Sequence, residues 1–245
     1  MNYKSDRINT SETFSQEKPL LKERIRKMFF SEFILSQKSM GRQIAYVAMM
    51  TALCTVLNGF LTVPNPVLIG GSTDVISLCL ALCLLSGAVF GPVYGFSIAF
   101  IGDLLCYLLF TSRGFPYFPW VGLSKAFAGF ISGMIMCNVT IKCRGGVYIK
   151  ALIVSVIVLF VCSVGIETGG YYIYNKYVKK LAFKTLKNGF AKVFGVYIGE
   201  VTYVWYIFYR LIIRLCIINN VVNTVAFLFF VSAVNSIKGL KIKIK

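Results

Sequence analysis

The chain contains no histidine, and only nine of its 245 residues are acidic. Without imidazole there is no His-based acid–base catalysis, no Ser–His or Cys–His nucleophile and no imidazole metal site. The sequence also lacks a D-x-x-D pair for metal–diphosphate chemistry, an H-E-x-x-H, a P-loop and a nucleophile elbow. Charged residues make up only 14% of the chain, where a soluble domain carries about 25%. So few charges cannot cover the surface of a soluble protein this size, which excludes an ordinary cytosolic enzyme.

What is present is apolar. Hydrophobic residues form 57% of the chain, and the mean hydropathy is +0.74. Both values identify an integral membrane protein. The net charge of +17 reads as positive-inside anchoring and membrane-surface lysines, with no nucleic-acid partner implied. Eight cysteines form no C-x-x-C pair and lie almost all within apolar runs. They read as small buried residues, not as a disulfide framework or metal cluster.

Residues 1–42 differ from the rest, with nine Lys/Arg and five Asp/Glu. The stretch Met1 to Lys18 is polar and is expected to be disordered. From Leu20 to Ser36, apolar Leu21, Ile25, Met28, Phe29 and Phe33 recur at helical spacing among Lys22, Arg24, Arg26 and Lys27. This predicts either a basic amphipathic helix on an anionic membrane face or a loosely ordered tail. No signal-peptide pattern occurs.

The membrane domain is expected over 43–240 as an all-α six-helix bundle. Apolar runs predict spans at Ile44–Val63, Val75–Phe90, Val93–Phe110, Val121–Val139 and Val147–Ile166, each near the required 17–25 residues. The stretch Phe194 to Ala233 is too long for one span, and Arg210 and Arg214 interrupt it. The preferred reading is one last helix over 207–237; two spans, 194–213 and 216–236, are the alternative. Six spans with both termini cytoplasmic satisfy the basic N-terminal tail, the basic turn at 142–146 and the lysine-rich C-terminus. The six lysines between Tyr171 and Lys192 fall on the opposite side and violate that rule.

Intramembrane charge usually marks function. After residue 42 the acids are Asp74, Asp103, Glu167 and Glu200. Asp103 sits mid-span, as a polar anchor or a substrate contact. Lys125 either snorkels or meets an anionic ligand. The run SRGFPYFPWVGLSKAF places Phe115, Tyr117, Phe118 and Trp120 in a Pro-shaped loop, as an interfacial belt or as a wall for a planar ligand. Pro64-Asn65-Pro66 opens a loop that reads first as an ordinary external connection, with a gate at the mouth of the bundle as the alternative. Ala45, Ala48 and Ala52 give the first helix a small-residue face that another helix can approach closely.

The segment 44–134 resembles the substrate-binding S components of energy-coupling factor (ECF) vitamin transporters, nearest the folate type. The resemblance rests on an alanine-rich first helix, then FGPVYGFSIAFIGDLL, then FPYFPWVGLSKAFAGFISG, and more loosely on YRLIIRLCIINNVVNTV. It departs at Trp120-Val121-Gly122, in the lysine-rich insertion and in a last helix without the expected proline. The resemblance implies a vitamin-binding subunit of an ABC-type importer in a bacterial cell membrane. Such a subunit binds no cofactor of its own and reorients on a transmembrane coupling protein with two ATPases that consume ATP. It implies docking through Ala45, Ala48 and Ala52, and gating by Pro64 to Asp74. The candidate substrate-binding set is Asn65, Asp103, Tyr117, Trp120, Ser124, Lys125 and Arg210. The expected ligand is folate or a related vitamin. Pantothenate, cobalamin, a nucleobase-like compound, a membrane scaffold role and lipid-acting enzymes are the alternatives.

Overall fold

The computed structural model describes Ile25 and residues 28–29, 40–60, 62–64, 75–110, 117–141, 143, 145–178, 187–188, 191, 195–197, 199–213 and 216–236. Its elements in chain order are α1 (Met40–Phe60), β1 (Thr62–Pro64), β2 (Val75–Ser77), α2 (Cys79–Phe90), α3 (Pro92–Phe110), α4 (Pro119–Asn138), α5 (Gly146–Val178), α6 (Tyr203–Phe208) and α7 (Cys216–Ser236). Five helices (α1, α3, α4, α5 and α7) are long and apolar enough to cross a bilayer. In lipid an apolar segment must satisfy its own backbone, and these helices do so internally. Successive helices run up and down. One end of the bundle, the first end, carries Met40, Gly91, Asn138 and Gly146; the second end carries Phe60, Phe110, Pro119 and Val178.

The second expected span is a half-length helix at the centre of the bundle. Nine of the twelve residues of α2 are buried. The residues expected to begin that span form β2, which pairs antiparallel with β1 in the register Thr62↔Ser77. A helix that starts inside the bundle needs partners for its first N–H groups, and α7 supplies one. Fully buried Asn223 accepts from the Ala81 amide at 2.9 Å and donates to the Ser77 carbonyl at 2.8 Å. Its neighbour Asn219 accepts from the Ser77 amide at 3.3 Å.

Helices α2, α3 and α4 cross almost backbone to backbone. A Cβ on Gly95 would lie 2.5 Å from the Gly87 Cα, and one on Gly129 would lie 2.6 Å from the Gly95 carbonyl oxygen. Gly133 lies equally close to Pro92. Small residues permit such approach in membranes. Ser132 adds a hydrogen bond from α4 to the Leu84 carbonyl at 2.6 Å. The turn between α2 and α3 uses Gly91 at φ 90°, a left-handed conformation open to glycine, and Pro92 starts the next helix. Beside this crossing, Leu84, Met136, Val154, Val158, Phe227 and Val231 form the main core. Leu108, Leu109, Phe160, Val225 and Phe229 face outward, as a lipid-contacting surface requires.

In the last apolar stretch the described residues are helical over Tyr203–Phe208, π-helical over Tyr209–Ile213 and helical again over Cys216–Ser236, so helix begins a few residues before the expected 207. Residues 214–215, where the one-helix and two-span readings divide, lie outside the described residues. The fifth helix also runs on to Val178, and Leu159–Thr168 and Tyr174–Val178 within it are π-helical. At 33 residues it is longer than the hydrocarbon's thickness of about 30 Å, even though its π-helical turns rise less than the about 1.5 Å per residue of an α-helix. Lys176, first of the six anomalous lysines, therefore lies past a hydrocarbon core measured from the start of α5. Ile25, Met28 and Phe29 are helical. Asn138 donates to the Met28 carbonyl, and Phe29 meets Phe130 of α4. The rest of the expected amphipathic segment lies outside the described residues.

Candidate substrate-binding end of the bundle

Two polar clusters flank the start of α4, because successive residues of its first turns point to different neighbours. Toward α3 and α1 lies the first. Lys125 Nζ sits 2.5 Å from Asp103 Oδ1 and donates to Asn58 Oδ1 at 3.1 Å. Asn58 Nδ2 donates to the same Asp103 oxygen at 3.2 Å. One carboxylate thus ties three helices together, and a buried cation is matched by a buried anion. A Cβ at Gly122 would fall 2.9 Å from Asp103 Oδ2 and would overlap the Tyr117 hydroxyl. Glycine there lets that hydroxyl lie beside the carboxylate. The Tyr117 ring leans on Tyr107 at 4.9 Å.

The second cluster faces α5 and α6. Phe118 and Trp120 each contact both Tyr171 and Tyr174, with ring centroids 5.3–5.7 Å apart. These offset and edge-on contacts suit the ring quadrupoles. Gly170 allows the wall to close, since a Cβ there would lie 2.7 Å from Trp120 Cδ1. Arg210 lies 4.5 Å over the Tyr171 ring, and its Nη2 donates to Glu167 Oε1 at 2.5 Å. Each member of this ion pair sits on a π-helical stretch; such stretches often occur at functional sites. Tyr203 donates to the Val164 carbonyl at 2.8 Å, and Ser124 donates to the Cys162 carbonyl at 3.2 Å. Side chains from α6 and α4 thereby meet carbonyls of the irregular part of α5.

Six of the seven candidate substrate residues are placed by this geometry. Asp103, Tyr117 and Lys125 form the first cluster, and Trp120 and Arg210 join the second. Ser124 is buried between α4 and α5 with its hydroxyl on a backbone carbonyl. Asn65, like Phe115, Arg214 and the gate segment 65–74, lies outside the described residues. Lys125 and Arg210, expected to meet anionic carboxylates of a ligand, instead face Asp103 and Glu167. Sequence reasoning missed Asn58, Gly170, Tyr171 and Tyr174. The tyrosines carried a usable signal, spacing of three on one helix, but were assigned to an insertion. Ala45, Ala48 and Ala52 lie on the exposed face of α1, opposite buried Met50, Thr51, Cys54 and Thr55. Among the described residues no group of His, Cys, Asp or Glu suits a metal ion.

The sequence model of a family described as "ECF-type riboflavin transporter, S component" matches residues 38–208, more than half of the chain. The chain belongs to this family. It is thus an S component of an ECF-type transporter, a multi-pass membrane protein from a family of transporter subunits and not of enzymes. Two solved structures are similar to this S component. One, titled "Crystal structure of FolT bound with folic acid", is 17% identical with a TM-score of 0.48, covering 77% of this chain and 92% of the other. The second, "Structure and mechanism of the S component of a bacterial ECF transporter", is 16% identical with a TM-score of 0.45, covering 80% and 96%. No curated protein matches this S component in a sequence comparison.

Proposed function

We propose that this S component binds a water-soluble vitamin with a planar fused ring at the second end of the bundle. The observation that carries this reading is the aromatic wall of Phe118, Trp120, Tyr171 and Tyr174, with the Arg210–Glu167 pair at its edge. Stacked rings offer a planar heterocycle large contact area with little ordering entropy. The adjacent charges offer hydrogen bonds to its polar rim. Folate is the first reading, because the runs FGPVYG, GDLL and FPYFPW–GLS resemble folate-type members and a guanidinium stands beside the stacking wall. Riboflavin is the second. The family's own description favours it, and so does the charge balance, since Lys125 and Arg210 each face a carboxylate. A neutral vitamin needs no surplus cation.

In this reading the second end faces outward, because the basic residues Arg42, Lys142 and Arg144 lie at the first end or its connection. The exposed small-residue face of α1 meets the transmembrane coupling protein, and two partner ATPases hydrolyse ATP. Calorimetry on detergent-purified protein with folate, riboflavin, pantothenate and cobalamin tests the ligand. One of the first two is expected to bind at submicromolar concentration; if none of the four binds at micromolar concentration, the reading fails. Ala48→Trp is expected to abolish co-purification with the coupling module while ligand affinity stays within twofold. An intact complex would remove the docking assignment.

A further inference from the structure

Three buried polar side-chain atoms lack a hydrogen-bond partner among the described residues: Tyr117 Oη, Trp120 Nε1 and Arg210 Nε. All three belong to the two clusters at the start of α4. A buried donor left unsatisfied is expensive, and native proteins keep few of them. Their concentration at one end of the bundle therefore needs an explanation, and the chemistry of the atoms gives its direction. Indole Nε1–H and guanidinium Nε–H are donors and never acceptors. Whatever completes them must bring acceptors.

Both donor-bearing side chains border one ring. Trp120 packs on Tyr171 with ring centroids 5.7 Å apart, and Arg210 lies 4.5 Å over the same ring. Glu167 engages only Nη2 of the guanidinium, so Nε is a separate edge. We infer that Trp120 Nε1 and Arg210 Nε are a pair of acceptor-reading donors, each taking its own carbonyl or carboxylate oxygen of the vitamin, and that Tyr171, which both side chains border, is the ring against which the ligand's plane slides. This inference rests on the vitamin-binding reading above and goes beyond it by naming the ligand atoms read and the two donors that read them. The closed wall holds both donors dry. A ligand that enters beside Tyr171 replaces ring–ring contacts with ring–ligand contacts and gives each donor its acceptor. The irregular helical turns under Glu167 and Arg210 provide backbone that can adjust by a fraction of a turn as the wall opens. Discrimination then follows from hydrogen bonding. A site with two buried donors rejects an analogue lacking the acceptor far more strongly than an apolar slot would.

The test uses full-length protein in detergent, with folate and riboflavin as probes and with pteroate and lumichrome as their truncated forms. Trp120→Phe keeps the ring and removes the N–H. Arg210→Lys keeps the charge toward Glu167 and removes Nε. Each is expected to weaken the vitamin that wild type binds by about tenfold, with unchanged thermal midpoint and elution volume. If the weakening persists with the truncated form, the acceptor is on the ring. If it vanishes there, the acceptor is on the tail, and both results support the pair. Equal affinity of wild type and both variants for every probe overturns the inference and leaves the vitamin reading standing. Wild type that binds neither vitamin overturns both.

Discussion

The two halves of α4 hold the bundle together in opposite ways. From Ala128 to Gly133 the helix packs backbone to backbone on α2 and α3, with no side chain between the main chains at Gly87, Gly95 and Gly129. From Tyr117 to Lys125 the chain packs ring to ring on α3 and α5 and charge to charge on α3. The first arrangement has one solution, because two backbones in contact leave nothing to rearrange. The second has several, because rings can tilt and ion pairs can exchange partners. A rigid half and an adaptable half on one helix are what a subunit needs if it is to grip a ligand while keeping its shape.

That contrast is breakable, and the largest effect is expected at the rigid half. Gly129→Leu places a side chain inside the Gly95 carbonyl, and no monodisperse folded protein should elute on size exclusion. A stable, correctly sized protein would show that the crossing can yield. Lys125→Met comes next. It leaves Asp103 buried beside Asn58 without its cation, which costs about 3–5 kcal/mol and should lower the thermal midpoint in detergent sharply. Lys125→Met with Asp103→Leu should recover most of the loss. Failure to recover would mean that the pair does more than neutralise itself. Asn223→Leu strips the start of α2 of its partners, leaving the Ala81 amide and Ser77 carbonyl bare, for about 3 kcal/mol. Proteolysis should then cut first in the connection before α2. Gly170→Ala, in the adaptable half, is expected to leave the thermal midpoint within about 2 °C. It should weaken vitamin binding about tenfold by pushing Trp120 off the wall, as read by calorimetry. A large stability loss instead would place the aromatic end among the rigid parts.

Much of the rigid half was legible in the sequence. Apolar runs of span length, closed by Gly-Pro and Gly-Gly, located α1, α3 and α4 to within a few residues, because lipid leaves an apolar chain little choice but helix. The half-length α2 was not legible. Its shortness depends on Asn223, 142 residues from the amide it accepts from, and no local pattern announces so distant a cap. The last apolar stretch was ambiguous for a related reason: Arg210 and Arg214 interrupted the run, but nothing local showed that Arg210 would pack on Glu167 and Tyr171 of α5. At the site, residue type was informative and pairing was not. Asp103, Lys125, Trp120 and Arg210 stood out as rare charges and aromatics in apolar surroundings. That each cation would meet a carboxylate of the chain itself depended on which helices became neighbours.

The overhang of α5 has a further consequence. Tyr171 and Tyr174 lie 25 and 28 residues beyond Gly146, where α5 begins, farther along its axis than the about 30 Å of hydrocarbon. With α5 entering the hydrocarbon at its start, the aromatic wall comes to stand toward the headgroup level. Its depth is set by the lipid as much as by the protein. A membrane of longer acyl chains rises around the wall and buries its rim, while a thinner one leaves it in water. Under the proposed function, bilayer thickness becomes a control on vitamin access that acts without touching a single contact within the fold.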